Sequence, residues 1–232
     1  VRSRLLHAVR FAQDALGAHV IGLGGLTVSV TNGGEWVARQ PEVRAAITHG
    51  DSYTVALAMA GIEQVAEATG RPLATSRVAI VGAYGLIGSA LSRLLALRCG
   101  SLLLMGRVEP KLRRLWQEIG RDQVEITTTL LAVREADLVV TTTCWPGTLL
   151  DSTHLKHGAL VYDVAQPPNV SQALCRARPD IVRIDGGLAR TPGIDPRFPL
   201  GPPRGTAFGC LVETMLQALE GDREIGGGNG RH

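Results

Sequence analysis

The sequence predicts an α/β fold: a doubly wound parallel sheet with a smaller α/β lobe on its N-terminal side. Three observations carry the prediction. From residue 77 onward, short apolar runs of strand length alternate with stretches of helical periodicity. One of those runs, Val78-Ala79-Ile80-Val81, feeds directly into Gly82-Ala83-Tyr84-Gly85-Leu86-Ile87-Gly88 and then into a leucine-rich stretch at helical spacing. The composition, 45% hydrophobic and 19% charged with 28 glycines in 232 residues, suits such a chain and not a disordered one.

Taken in order, residues 2–16 read as an amphipathic helix with Leu5, Leu6, Val9 and Phe11 among its apolar positions. His19-Val20-Ile21 reads as a short strand entering Gly22-Leu23-Gly24-Gly25-Leu26-Thr27. Val28-Ser29-Val30-Thr31 alternates like a second strand and stops at Asn32-Gly33-Gly34. This first glycine cluster lacks a strand–turn–helix context and is not read as a nucleotide site. A strong helix follows Ile47-Thr48-His49-Gly50, with Asp51 or Ser52 as its cap, and stops at Gly70-Arg71-Pro72. His49, on the loop, reads as exposed and without a chemical part. The Gly-Arg-Pro marks the boundary between an N-terminal lobe, 1–72, and a nucleotide-binding domain, 73–204.

The unit at 77–106 has the strand, glycine turn, helix and second strand that a dinucleotide fingerprint needs, which makes the sheet Rossmann-type. Gly82 lets the chain reverse, Gly85 lets backbone approach a pyrophosphate, and Gly88 lets the helix pack on the strand. The N–H groups near Tyr84, Leu86 and Ile87 then face the phosphates at a positive helix end. The second strand, Leu102-Leu103-Leu104-Met105, ends on Gly106-Arg107, where an NAD site carries an acid and an NADP site a base. A guanidinium suits a 2′-phosphate, so the expected cofactor is NADP(H). Lys111, Arg113 and Arg114 read as a solvated helix start.

Further strands are expected at Val124-Glu125-Ile126-Thr127, at 138–143, at 159–163 and at 182–185. Thr142, Thr143 and Cys144, at a strand's carboxyl end, either line the nicotinamide side or are simply good strand residues. Asp163 and Asp185 are candidate substrate or ribose contacts, or caps of the next element. Residues 192–205 read as a crossing loop. The last helix belongs to a C-terminal segment, 205–221, ahead of a tail, 222–232, expected to be disordered.

The net charge of +3, without a basic stripe interleaved with aromatics, gives no reason to expect nucleic acid. No apolar run has the length of a membrane span. Cys99, Cys144, Cys175 and Cys210 show no C-x-x-C spacing and read as thiols of a reducing, cytoplasmic compartment; no ligand-spaced cluster suggests a metal. By position alone Cys210 reads as a buried core cysteine.

Several segments, in order along nearly the whole chain, resemble the cyanobacterial long-chain acyl-(acyl-carrier-protein) reductases, relatives of the shikimate dehydrogenase and glutamyl-tRNA reductase group. They are Gly22-Leu23-Gly24-Gly25-Leu26-Thr27, Gly50-Asp51-Ser52-Tyr53-Thr54, the 81–90 turn, Leu104-Met105-Gly106-Arg107, 163–169, Asp185-Gly186-Gly187, and Phe208-Gly209-Cys210-Leu211-Val212-Glu213-Thr214-Met215. The resemblance implies NADPH-dependent reduction of an acyl thioester, carried by acyl carrier protein or CoA, to a free aldehyde. It implies Cys210 as the acyl-bearing nucleophile, near a helix start whose dipole can lower a thiol pKa. It also implies Gly24, Gly25, Asp51 and Ser52 on the substrate side. Cys144 is the reserve nucleophile, and Cys99 and Cys175 read as structural. Asp51 stands where the family has an amide, and Tyr84 where it has a small hydroxyl residue. Chain length, carrier and any homo-oligomer are left open. The rival readings are a shikimate-type reductase of a small carbonyl, or an inactive NADP(H)-binding module. The first usually needs a Lys–Asp pair, and residues 1–72 contain no lysine.

Overall fold

The structure, a computed structural model, describes residues 1–194 and 201–221. The tail 222–232 and part of the crossing loop, 195–200, lie outside the described residues. Two compact units are formed, 57–186 and, from the two ends of the chain, 1–56 with 187 onward.

In the first of these, six strands make one parallel sheet: β3 (Arg77–Val81), β4 (Ser101–Met105), β5 (Val124–Thr127), β6 (Leu138–Thr141), β7 (Leu160–Asp163) and β8 (Val182–Asp185). Their order, β5-β4-β3-β6-β7-β8, reverses direction between β3 and β6, the point at which open α/β sheets bind ligands. The connecting elements include α5 (Leu86–Leu95), α6 (Glu109–Ile119), α7 (Gln172–Ala177) and a 3₁₀ segment, Leu130–Glu135. Both faces of the sheet are covered. Ala79, Val81, Leu103, Met105, Val139 and Val161 pack on one side, while the alternate residues Val78, Ile80, Leu102, Leu104 and Val140 are equally buried. That two-sided burial is why the strands read as unbroken apolar runs. Leu91 and Leu95, both fully buried, fasten α5 to the sheet at roughly 1.5–3 kcal/mol each.

The second unit contains α1 (Arg2–Ala15), β1 (Val20–Gly22), α2 (Leu26–Val30), α3 (Glu35–Ala38), β2 (Ala46–Thr48), β9 (Leu188–Arg190), β10 (Thr206–Phe208) and α8 (Gly209–Glu220). β1 and β2 pair in parallel and β9 and β10 antiparallel. A small core of Val9, Leu23, Val37 and Ile47 joins α1, α3 and the β1–β2 pair. Of the strand expected at 28–31, residues 28–30 lie in α2 and Thr31 follows as its C-cap. Thr27 donates both its N–H and its hydroxyl to the Gly24 carbonyl, winding the chain, and Thr31 Oγ1 donates back to the Thr27 carbonyl at 2.6 Å. Four residues of alternation are too few to separate a strand from one helical turn. The chain passes from one unit into the other within α4 (Asp51–Ala68). No helix among the described residues is long and apolar enough to cross a membrane.

Gly88 carries the tightest contact of the glycine turn. A Cβ there would sit 2.3 Å from the Gly82 carbonyl oxygen and 2.8 Å from Thr142 Oγ1. Gly88→Ala should therefore lower stability by about 1–3 kcal/mol, the range for overpacking a filled site, read as an earlier denaturant midpoint.

Candidate functional site

The predicted cofactor residues cluster at the carboxyl edge of the six-stranded sheet. Gly82 has φ +92°, the left-handed conformation its turn requires, and its N–H donates to the Met105 carbonyl. Gly85 precedes α5, and no side chain caps that helix, so the backbone N–H groups of Leu86 and Ile87 are offered outward beside an exposed Leu86 side chain. The ring of Tyr84 lies against Gly106, where a Cβ would meet it at 2.4 Å, and Lys111 stands over the ring at 5.4 Å from its centroid. A glycine-lined turn opening on an uncapped ten-residue helix fits a dinucleotide pyrophosphate.

The basic residues after β4 separate cleanly. Arg113 pairs with Glu109 at 2.6 Å and Arg114 with Glu118 at 3.0 Å, both exposed i,i+4 pairs of α6. Arg107 is exposed and, among the described residues, makes no hydrogen bond or ion pair. It is the guanidinium of that group left available to an anion.

Thr142 and Thr143 sit at the same edge, but their hydroxyls are engaged. Thr142 Oγ1 donates toward the carbonyls of Val81 and Gly82, and Thr143 Oγ1 lies 2.6 Å from Asn169 Oδ1. Asp163 is sealed in the interior. Its carboxylate accepts from Thr141 Oγ1 at 2.5 Å, the Val170 N–H at 3.1 Å and the Arg183 guanidinium at 3.3 Å. It does not cap the next helix, α7, which Ser171 caps through the Leu174 N–H. Asp185 pairs with Arg183.

The predicted nucleophile and substrate-side residues lie in the other unit. Cys210, in the first turn of α8, is half-buried and pressed against the loop before α4, where a Cβ on Gly50 would fall 2.1 Å from the Cys210 Cα. Gly50 itself has φ +72°. Gly25, at φ +56°, precedes α2, and the Gly24 carbonyl starts it; Ser52 is exposed on α4. The Cys210 thiol is pushed up, not down. Burial is the largest cause, the Leu211 N–H pulls the other way, and the Asp51 and Glu213 carboxylates add to the rise. The expected gain from the helix start is outweighed. Cys99 is pushed up to about 11 by burial, whereas Cys144 is exposed.

Two residues here were missed in the sequence. Glu213 is buried, accepting from Thr48 Oγ1 at 3.0 Å and from the Tyr53 N–H at 2.6 Å. It caps α4 from α8, a part expected of Asp51 or Ser52; its place three residues after Cys210 in a helix was the one available signal. His49, expected to be exposed, is only 7% accessible. Its Nδ1 lies 3.2 Å from Asp51 Oδ2. The bond to Asp51 raises its pKa, against a smaller lowering by burial and with help from Glu213.

The raised His49 pKa fixes a pH dependence. Protonation in the folded state is favoured over the unfolded value of 6.5, so this contribution to stability is complete below about 6.5 and is lost as pH rises through the folded pKa. Urea midpoints of the native protein and His49→Gln should differ most near pH 5.5 and converge toward pH 9. A gap independent of pH would contradict the ion pair.

The family model for shikimate / quinate 5-dehydrogenase matches residues 64–185. The long-chain acyl-[acyl-carrier-protein] reductase of Synechococcus elongatus is 29% identical over 94% of this chain and 66% of its own length. Aminotransferase PigE of a Serratia species is 31% identical over 90% of this chain and 25% of its own. The chain thus spans less than two thirds of either relative. Among solved structures, the dipicolinate synthase A chain of Bacillus subtilis superposes with a TM-score of 0.51 at 19% identity, covering 71% of this chain and 55% of that one. That likeness is one of fold.

Proposed function

The chain belongs to the shikimate / quinate 5-dehydrogenase family, and from that premise we propose an NADPH-dependent oxidoreductase that reduces an acyl thioester to an aldehyde through an acyl-enzyme on Cys210. The observation that carries the reading is the fixed position of Cys210, pinned by the glycine contact at Gly50 in a segment collinear with the acyl-[acyl-carrier-protein] reductase. In this reading residues 1–72 supply the substrate side, the sheet within 73–204 the cofactor side, and the helix within 205–221 the nucleophile.

Each residue then has a defined task. The Leu86 and Ile87 N–H groups and the Gly82–Gly85 turn hold the pyrophosphate, and Arg107 pairs with the 2′-phosphate. Bound NADPH supplies hydride to the acyl carbonyl carbon. Cys210 must first lose its proton, because burial keeps the resting group a thiol. Its sulfur then bonds to the acyl carbon, and the carrier leaves as a thiol with a proton. After reduction the carbon–sulfur bond breaks, releasing aldehyde and restoring Cys210. Gly24, Gly25, Asp51 and Ser52 line the acyl side, with acyl carrier protein or CoA as the carrier. The protein acts in the cytoplasm.

Intact mass after incubation with a panel of acyl thioesters, without NADPH, tests this directly. One acyl adduct on the native protein and none on Cys210→Ala is expected. No adduct together with carbonyl reduction would instead favour the direct, shikimate-type reaction. No turnover at all would leave a nucleotide-binding module. For the cofactor, Arg107→Asp should weaken NADPH binding by about 1–3 kcal/mol and leave NADH binding nearly unchanged. Equal titration of NADPH and NADH by the native protein would refute the 2′-phosphate assignment.

A further inference from the structure

His49 and Asp51 flank Gly50, the residue whose backbone lies against Cys210, and their side chains meet across it at 3.2 Å. The Glu213 carboxylate, held by the Thr48 hydroxyl and the Tyr53 N–H, supplies the third charge. Asp51 at the start of α4 and Glu213 on α8 both act on the Cys210 thiol and on His49; these are the titratable groups around the pair. Two carboxylates beside a nucleophilic cysteine oppose the thiolate that acyl transfer requires. The one imidazole among them is tied to one of those carboxylates.

We propose that His49 is a positioning residue for Cys210: its ion pair with Asp51 cancels carboxylate charge next to the nucleophile and so sets how readily the thiol gives up its proton. This rests on Cys210 being the nucleophile. The geometry allows the pair to switch in place. Nδ1 of His49 lies 3.2 Å from the Asp51 carboxylate, to which it donates when protonated, and 3.3 Å from the Asp51 N–H, from which it accepts when neutral. Burial strengthens both interactions. The thiol and the imidazole are therefore linked titrations. Below the His49 pKa the thiolate fraction grows with pH. Above it, loss of the imidazolium uncovers Asp51 and the growth stalls, until the thiol ionises on its own at higher pH.

The test is the rate of Cys210 alkylation by iodoacetamide between about pH 5 and pH 10, resolved by peptide mass spectrometry from labelling at the other cysteines. It is run on the native protein, His49→Gln and Asp51→Asn. The native profile should show a shoulder at the His49 titration. His49→Gln should lose that shoulder and label roughly tenfold more slowly near pH 7. Asp51→Asn should also lose the shoulder and label faster than His49→Gln near pH 7, since the carboxylate whose charge the imidazolium cancels is gone. A native profile without a shoulder, or native and His49→Gln profiles that superimpose, overturns the proposal. Should His49→Gln fail to fold, Asp51→Asn decides, and a shoulder retained in that variant overturns it. Because iodoacetamide needs no thioester recognition, a His49-dependent profile on a cysteine that accepts no acyl group would sustain this inference while removing the acyl-enzyme reading.

Discussion

Two close backbone approaches, each tolerable only where a side chain is missing, hold the parts of this chain in place. At Gly88 a Cβ would lie 2.3 Å from the Gly82 carbonyl, and at Gly50 it would lie 2.1 Å from the Cys210 Cα. The first brings the start of α5 down onto the glycine turn, so that uncapped N–H groups stand at the reversal of strand order between β3 and β6. The second brings the first turn of α8 onto the loop entering α4, which sets Cys210 near the Asp51 and Glu213 carboxylates. Each unit thus has its candidate site set by one packed glycine.

Around Cys210, burial and charge work together against ionisation. A helix start favours a thiolate, but withdrawal from water and two nearby carboxylates outweigh it. The thiol is thereby held protonated, and in the proposed reaction it has to be activated before it attacks. Glu213 has a structural reason to be there: it ends the α4 backbone and ties down Thr48. His49 compensates for the electrostatic consequence of that arrangement.

The sheet was legible because its strands are buried on both faces, so that Val78-Ala79-Ile80-Val81 and Leu102-Leu103-Leu104-Met105 each read as one apolar run. The glycine turn was legible because its geometry is local. What stayed hidden depends on contacts distant in sequence. His49 is buried with its ring beside Gly33, and Glu213 accepts from the N–H of Tyr53, 160 residues earlier. The one-turn α2 was misread because five residues carry too little periodicity, and the three-residue strands β9 and β10 gave no alternation to count. Its place at the end of β4 singled out Arg107 in the sequence; what the structure adds is that Arg113 and Arg114 are paired within α6.

The central claim, that the acyl group passes through Cys210 on its way to aldehyde, is tested most directly by isolating the acylated protein free of excess thioester and adding NADPH. The account predicts that the adduct disappears from the protein's mass in a single turnover, with one equivalent each of NADPH consumed and aldehyde released. An adduct that persists on Cys210 while NADPH binds without oxidation would contradict it.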